Sequence, residues 1–171
     1  MKHLYAILIS TTLNFTLYSQ QLAVSQIDEF TKKEVIQVNA SKDKKWKNSD
    51  NIAQGFYNNV YLSLRKIDTL KTIQLDIQRG SMICLNNLDG KVIALFEDSS
   101  TLELPQVSKI DCAQRILATY YLPKNHLKKL TENEIKKIRI YTNDGYFDLE
   151  IKNDKKKIIK ETFQLFQSKS T

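Results

Sequence analysis

Histidine, glycine and proline are scarce in this sequence, which has 2 His, 4 Gly and 2 Pro among 171 residues. Two histidines cannot form a histidine-based metal cluster, and a nucleophile–histidine arrangement would have to use His3 or His126. Glycine-rich phosphate loops, zinc-protease motifs and aspartate-rich calcium loops are absent as well. We therefore expect no metal and no cofactor, and we interpret His126 as a partly exposed surface residue.

Apolar runs of membrane-spanning length are also missing. The first apolar stretch follows the basic start Met1-Lys2-His3 and reaches about Tyr18, which is typical of a signal peptide and too short for a spanning helix. This pattern predicts a signal peptide over residues 1–19, with an alternative cleavage site after Ser25. The other interpretation is that residues 4–17 form a buried strand or helix.

A signal peptide implies an exported product. With cleavage after Ser19, residues 20–171 form a single domain, because the few glycines and prolines leave no low-complexity linker. No cysteine stands at the predicted new N-terminus directly after the apolar stretch, so we expect no lipid anchor there. The predicted location is the periplasm or the outside of the cell, and no later segment is long enough to cross a membrane.

Cysteine is limited to Cys84 and Cys112, too few for a disulfide scaffold. In an oxidising compartment the two residues can pair and close a loop of about 27 residues, which stabilises the fold by about 3 kcal/mol. The alternative is two unpaired thiols buried as small hydrophobic side chains. The apolar neighbours of Cys84 fit the second interpretation, so the sequence leaves both open.

Positive charge is in excess, with a net charge of +7, and it is concentrated in residues 122–171. A basic segment of this kind can bind phosphates, anionic lipid or acidic polysaccharide. Few of the charges are arginine, which argues against base-specific nucleic-acid recognition. The candidate binding residues are Lys124, Lys128, Lys136, Lys155 and Lys156, together with Trp46 in a lysine-rich loop. Trp46 either stacks on a base or sugar ring or folds back onto the edge of the core.

Alternating apolar and polar residues predict most of the secondary structure. The clearest hairpin covers residues 135–151, where two alternating runs meet at Asn143-Asp144-Gly145. A second hairpin is predicted over residues 60–78, with an interruption at Arg79-Gly80. Residues 91–97 are apolar on both faces around Ile93 and Leu95, which predicts a central strand covered on both sides.

Helical patterns are restricted to the end of the chain. Residues 124–133 predict one or two helical turns, and a longer amphipathic helix is expected after a cap at Asn153 or Asp154. We expect its apolar stripe to cover a face or an open end of the sheet. The whole pattern predicts a mainly β fold, either an antiparallel β-sandwich or a partly open barrel of eight to ten short strands with a C-terminal amphipathic helix.

Asp148 and Glu150 are the candidate catalytic residues, because they occupy alternate positions on the second arm of the clearest hairpin. Such carboxylates lie about 7 Å apart, within the range that glycosidases use. Arg139 and Tyr141 on the facing arm are ordinary cross-strand partners for them, however. We keep an envelope hydrolase as an alternative function.

The same segment, KIRIYTNDGYFDLEIK followed by a helix that contains Phe-x-Leu-Phe, resembles the C-terminal part of small exported proteins of Gram-negative bacteria that have no assigned activity. The resemblance implies export and a compact β domain, and it transfers no functional residue. The expected function is a non-catalytic binding or structural module. Its expected partner is another envelope protein or an anionic polymer, and a second alternative is an electrostatic binder of anionic glycan, lipid or nucleic acid.

Overall fold

The computed structural model of this chain describes residues 21–41, 47–54, 58–85 and 90–170. The predicted signal peptide and Trp46 lie outside these ranges. The described part contains nine strands, two α-helices and a 3-10 helix at Asn48–Asp50. The strands are β1 (Gln21–Ile27), β2 (Glu34–Asn39), β3 (Asn58–Ile67), β4 (Leu70–Leu85), β5 (Lys91–Phe96), β6 (Thr101–Pro105), β7 (Ile110–Tyr121), β8 (Ile135–Thr142) and β9 (Gly145–Glu150); the helices are α1 (Lys124–Glu132) and α2 (Asn153–Lys169).

Two antiparallel sheets make up the fold, and the core lies between them. One sheet has the order β1-β2-β3-β4-β7 and the other the order β6-β5-β8-β9. Inward apolar side chains from both sheets, among them Leu62, Leu75 and Ile138, join one hydrophobic cluster. This arrangement confirms the predicted β-sandwich, and in the described ranges the sheets do not close into a barrel.

The predicted hairpin at residues 135–151 is confirmed as β8 and β9. Ile138 pairs with Leu149 and Ile140 with Phe147 on the core side, and Arg139 pairs with Asp148 on the other. Gly145 has a φ of 124°, a conformation that side chains with a Cβ rarely adopt. The turn chemistry therefore fixes the register of this hairpin.

The second predicted hairpin is confirmed as β3 and β4, but the expected interruption at Arg79-Gly80 is wrong. Asp68 supplies the positive φ, 56°, that this glycine-free turn requires. β4 continues through Gly80 to Leu85, and its pairing with β7 shifts between Gln78 and Ile83. A shift in register, with Gly80 inside it, lets the pairing with β7 resume farther along one continuous strand.

Cys84 and Cys112 form a disulfide bond between β4 and β7. Both strands belong to the five-stranded sheet, and Ile83 pairs with Ala113 one position away. The disulfide interpretation is thus confirmed, and the alternative of two unpaired buried thiols is wrong. The main-chain N–H of Asn143, in the β8–β9 turn, donates to the carbonyl of Cys84 at 3.1 Å, which connects this end of the sheet to the opposite sheet.

The two helices pack their apolar side chains into the same hydrophobic cluster as the sheets, as predicted for the stripe of α2. The buried residues of α2 are Ile159, Thr162, Phe163 and Phe166, and the helix contacts α1, β2, β3 and β8. Its cap residue is Lys152, one position before the predicted caps, and no side chain caps it. Among the described residues, no helix combines the length and apolar character needed to cross a bilayer.

Candidate binding face on the four-stranded sheet

The side of the four-stranded sheet that points away from the core carries a regular array of side chains, which we call the outer face. Because residues alternate along each strand, the pairing places Ile93 beside Arg139 and Arg139 beside Asp148. The next row places Leu95 beside Lys137 and Lys137 beside Glu150. The outer face consists of Lys91, Ile93, Leu95, Lys137, Arg139, Tyr141, Tyr146, Asp148 and Glu150.

Arg139 occupies the centre of the outer face and is held from two sides. Its Nε and Nη2 atoms donate to the two carboxylate oxygens of Asp148 at 2.7 and 2.9 Å. The guanidinium carbon lies 4.0 Å from the centroid of the Tyr146 ring, within the range of a cation–π contact. A planar guanidinium that is paired and stacked in this way has little rotational freedom left to lose on binding.

The two candidate catalytic carboxylates lie on this face, and both are engaged in ion pairs. The hydrogen bond from Arg139 lowers the pKa of Asp148 more than partial burial raises it. Glu150 accepts from Lys137 Nζ at 2.7 Å, and this hydrogen bond raises the pKa of Lys137. A general acid of a glycosidase needs a raised pKa, whereas the pKa of Asp148 shifts in the opposite direction.

An apolar strip runs beside these charges. Ile93 and Leu95 are half-buried, and with Thr101, Lys137 and Arg139 they line a surface cleft of about 270 Å³. The sequence predicted that both faces of β5 are covered, and this is wrong, since the fully buried positions are Val92, Ala94 and Phe96. Ile93 and Leu95 therefore place two large aliphatic side chains on the solvent side of the sheet, a feature that is typical of an interaction surface.

Aromatic side chains complete one edge of the outer face. The Tyr141 and Tyr146 ring centroids are 5.9 Å apart, and Lys91 Nζ lies 5.3 Å from the Tyr141 centroid. Tyr146 is 58% exposed, so that much of its ring is available to a ligand while the other side contacts Arg139. The outer face thus combines stacked tyrosine, a fixed arginine and an aliphatic strip.

The five candidate lysines occupy two helices and one strand. Lys124 and Lys128 line one surface cleft on α1 with Asn125 and Gln167, whereas Lys155 lines a different cleft beside Asp50. Lys156 Nζ lies 2.7 Å from Glu97 Oε1, and Lys136 is exposed on β8. The structure brings Lys124 and Lys128 together and engages Lys156 in an ion pair.

His126 and the potential metal ligands of the described residues do not form a metal-binding cluster. His126 is half-buried on α1, and its Nδ1 atom is buried without a hydrogen-bond partner. No group of three or more His, Cys, Asp or Glu side chains in this part of the chain is placed to hold a metal ion.

Sequence reasoning identified Asp148 and Glu150 but missed the role of their surroundings. Arg139 and Tyr141 were treated as ordinary partners, and Ile93 and Leu95 were assigned to the interior. The sequence does contain a signal for this face, namely the apolar run KVIALF beside strands that alternate strictly. Such an excess of apolar residues on one strand is typical of either a sheet covered on both sides or an interface.

Comparison of the chain with protein-family models, with curated proteins and with solved structures gives no match. Its function must therefore be argued from the two sheets and the residues that they display.

Proposed function

We propose that this protein is an exported, non-catalytic binding module that docks a protein partner through the outer face of the four-stranded sheet. The observation that carries the proposal is the fixed arginine, Arg139, between the exposed ring of Tyr146 and the aliphatic strip of Ile93 and Leu95. Tyrosine and arginine are enriched at the energetic centres of protein interfaces. The predicted partner class, another envelope protein, agrees with this composition.

Export is supported by two independent features. The disulfide between Cys84 and Cys112 is typical of oxidising compartments such as the periplasm and the cell exterior. The sequence pattern of residues 1–19 is that of a signal peptide. Cleavage after Ser19 keeps the whole of β1 in the mature chain, and cleavage after Ser25 would remove most of it.

Binding is favoured over hydrolysis by the state of the carboxylates. Asp148 and Glu150 are charge partners of Arg139 and Lys137, and pairing keeps Asp148 ionised through the neutral range because it lowers the pKa. A carboxylate held in this way orients an arginine for recognition, which is the role that we assign to Asp148.

Site-specific photo-crosslinking in the producing cell tests the proposal. A photoreactive phenylalanine derivative replaces Tyr146, and in a matched control it replaces Leu117, which is 51% exposed on β7 of the other sheet. We expect one protein adduct of defined mass from position 146 and none from position 117. The adduct should be lost when Arg139→Ala is added, because the partner then has no fixed guanidinium to bind.

Two results would contradict this function. One is the same set of adducts from both positions, which would indicate random collisions. The other is an undiminished adduct in the Arg139→Ala protein, provided that the thermal unfolding temperature shows this variant to be folded.

A further inference from the structure

One end of the five-stranded sheet, which we call the hairpin end, brings together two turns that are distant in sequence. It comprises residues 27–34 of the β1–β2 connection, residues 66–71 of the β3–β4 connection, and Lys124 and Lys128 of α1. The turns are adjacent because Val35 pairs with Ile67, and Asp68 N–H donates to the Glu34 carbonyl at 2.9 Å. Leu122 N–H donates to the Lys71 carbonyl at 2.9 Å, which places the start of α1 at the same end.

Large apolar side chains project into solvent at the hairpin end. Phe30 is 95% exposed, Ile27 is 66% exposed and Leu70 is 47% exposed. They stand on two turns, in positions where polar residues would be the usual choice. An almost fully exposed phenylalanine contributes little to the stability of the fold, so its whole ring is available to an external apolar environment.

The turn that carries Phe30 is ordered by its own hydrogen bonds. Asp28 Oδ1 accepts from the main-chain N–H groups of Phe30 and Thr31 at 3.1 and 2.6 Å, and from the Thr31 hydroxyl at 2.8 Å. Lys32 N–H donates to the Asp28 carbonyl at 2.8 Å, and Lys32 itself has a φ of 57°. The local structure therefore presents the phenylalanine at a fixed position on the tip.

Lysines surround these apolar tips. Lys32 and Lys33 follow Phe30 after Thr31. The pKa of Lys71 is lowered by burial first and then by the nearby positive charges of Lys66 and Lys124. The lysines at this end are Lys32, Lys33, Lys66, Lys71, Lys124 and Lys128, and the acidic residues are Asp28, Glu29, Glu34 and Asp68. Lys66 and Glu34 form an ion pair at 2.8 Å, which leaves five lysines against three carboxylates among these residues, so the excess charge is positive.

We propose that the hairpin end is a membrane-contact surface that inserts Phe30, Ile27 and Leu70 into the headgroup region of an anionic phospholipid bilayer while its lysines bind the lipid phosphates. Three separate apolar side chains on protruding turns fit a soft lipid surface, whereas a protein partner normally requires a continuous, complementary patch. Lysines at the rim add electrostatic attraction to anionic lipid. This inference depends only on the residues of the hairpin end and not on the partner proposed for the outer face.

Co-sedimentation of the purified, disulfide-bonded residues 20–171 with lipid vesicles tests the proposal. One vesicle population is phosphatidylcholine only, and the other contains about one third phosphatidylglycerol to supply the anionic surface. We expect sedimentation with the anionic vesicles, less with the neutral ones, and a decrease in the bound fraction as salt is added.

Substitutions at the tips separate the apolar from the charged contribution. Phe30→Ser should reduce the partition coefficient about fivefold because part of one aromatic side chain no longer leaves water. Lys32→Glu with Lys33→Glu should abolish the preference for anionic vesicles. Leu117→Ser and Lys109→Glu are the matched controls, since both residues are exposed away from the hairpin end, and they should bind like the unmodified protein.

A fluorescence measurement gives an independent readout of insertion. The sequence has one tryptophan, Trp46, so a Phe30→Trp, Trp46→Phe protein reports on the tip alone. Its emission should shift to the blue and be quenched by brominated phosphatidylglycerol. Absence of sedimentation and of quenching overturns the inference, as does equal binding by Phe30→Ser. Crosslinking of the tip to one envelope protein without any vesicle binding would assign this end to a protein partner instead.

Discussion

At the scale of single residues, the outer face is organised by the contact between Arg139 and Asp148. The carboxylate receives two hydrogen bonds from the guanidinium and lies 3.8 Å from Lys137 Nζ. Since the pair is partly exposed, its contribution to stability is small even though its geometry is bidentate. Its main effect is to fix the direction of the arginine.

Replacing Asp148 by Asn should lower the free energy of unfolding by no more than about 1 kcal/mol at neutral pH. Because the pKa of Asp148 is lower in the folded state than its usual value of about 3.9, the pair stabilises the fold above that value. The contribution is lost as the pH falls through the folded pKa. Urea unfolding at neutral pH and near pH 2 checks this, and the difference between the two proteins should shrink in acid.

Asp144→Asn, in the exposed β8–β9 turn, is the matched control, and at neutral pH it should change the free energy of unfolding by less than about 0.5 kcal/mol. The same Asp148→Asn protein, combined with Glu150→Gln, also tests the hydrolase alternative. Any hydrolytic activity of the purified chain that disappears in this double variant would restore that alternative.

At the scale of the elements, the disulfide joins two strands that are neighbours in the sheet but separated by β5 and β6 in the chain. Cys84→Ser with Cys112→Ser should lower the free energy of unfolding by about 3 kcal/mol, since the cross-link restricts the unfolded chain. Chemical denaturation of the variant measures the loss. The unmodified protein in excess reductant should show the same loss, and an unchanged unfolding midpoint would contradict it.

The first strand bears on which of the two predicted cleavage sites is used. β1 pairs with β2 from Gln21 opposite Asn39 to Ile27 opposite Glu34, so cleavage after Ser25 would expose the edge of β2. We predict Gln20 as the mature N-terminus, and N-terminal sequencing of the exported product checks it. A product that starts at Gln26 would contradict this prediction.

At the scale of the whole molecule, α2 supplies a large part of the interior. Phe163 and Phe166 are fully buried in the same cluster as residues of both sheets. Phe163→Ala should therefore lower the free energy of unfolding by about 3–5 kcal/mol, because it removes a ring and leaves a cavity. Lys157→Ala, an exposed position on the same helix, is the control and should change stability by less than about 0.5 kcal/mol. Urea unfolding measures both.

Local patterns accounted for much of this fold. The β8–β9 hairpin and α2 could be predicted because each has a clear period, a turn residue or an apolar stripe. Two features could not be predicted from local patterns. The pairing of β4 with β7 connects distant segments, and the continuation of β4 through Gly80 depends on its neighbour. The outer face could be predicted only in part. An apolar run such as residues 92–96 does not show whether the second side of the strand is covered by another layer of the protein or exposed to solvent.

The late position of the helix that fills the interior also affects biogenesis. Until residues 159–166 have left the ribosome, the two sheets have no Phe163 or Phe166 between them, and the nascent chain exposes its inward aliphatic side chains to water. We expect such a chain to stay loosely packed for most of its synthesis. For the export that we propose, this condition suits passage through a narrow translocation channel, with packing completed on the far side.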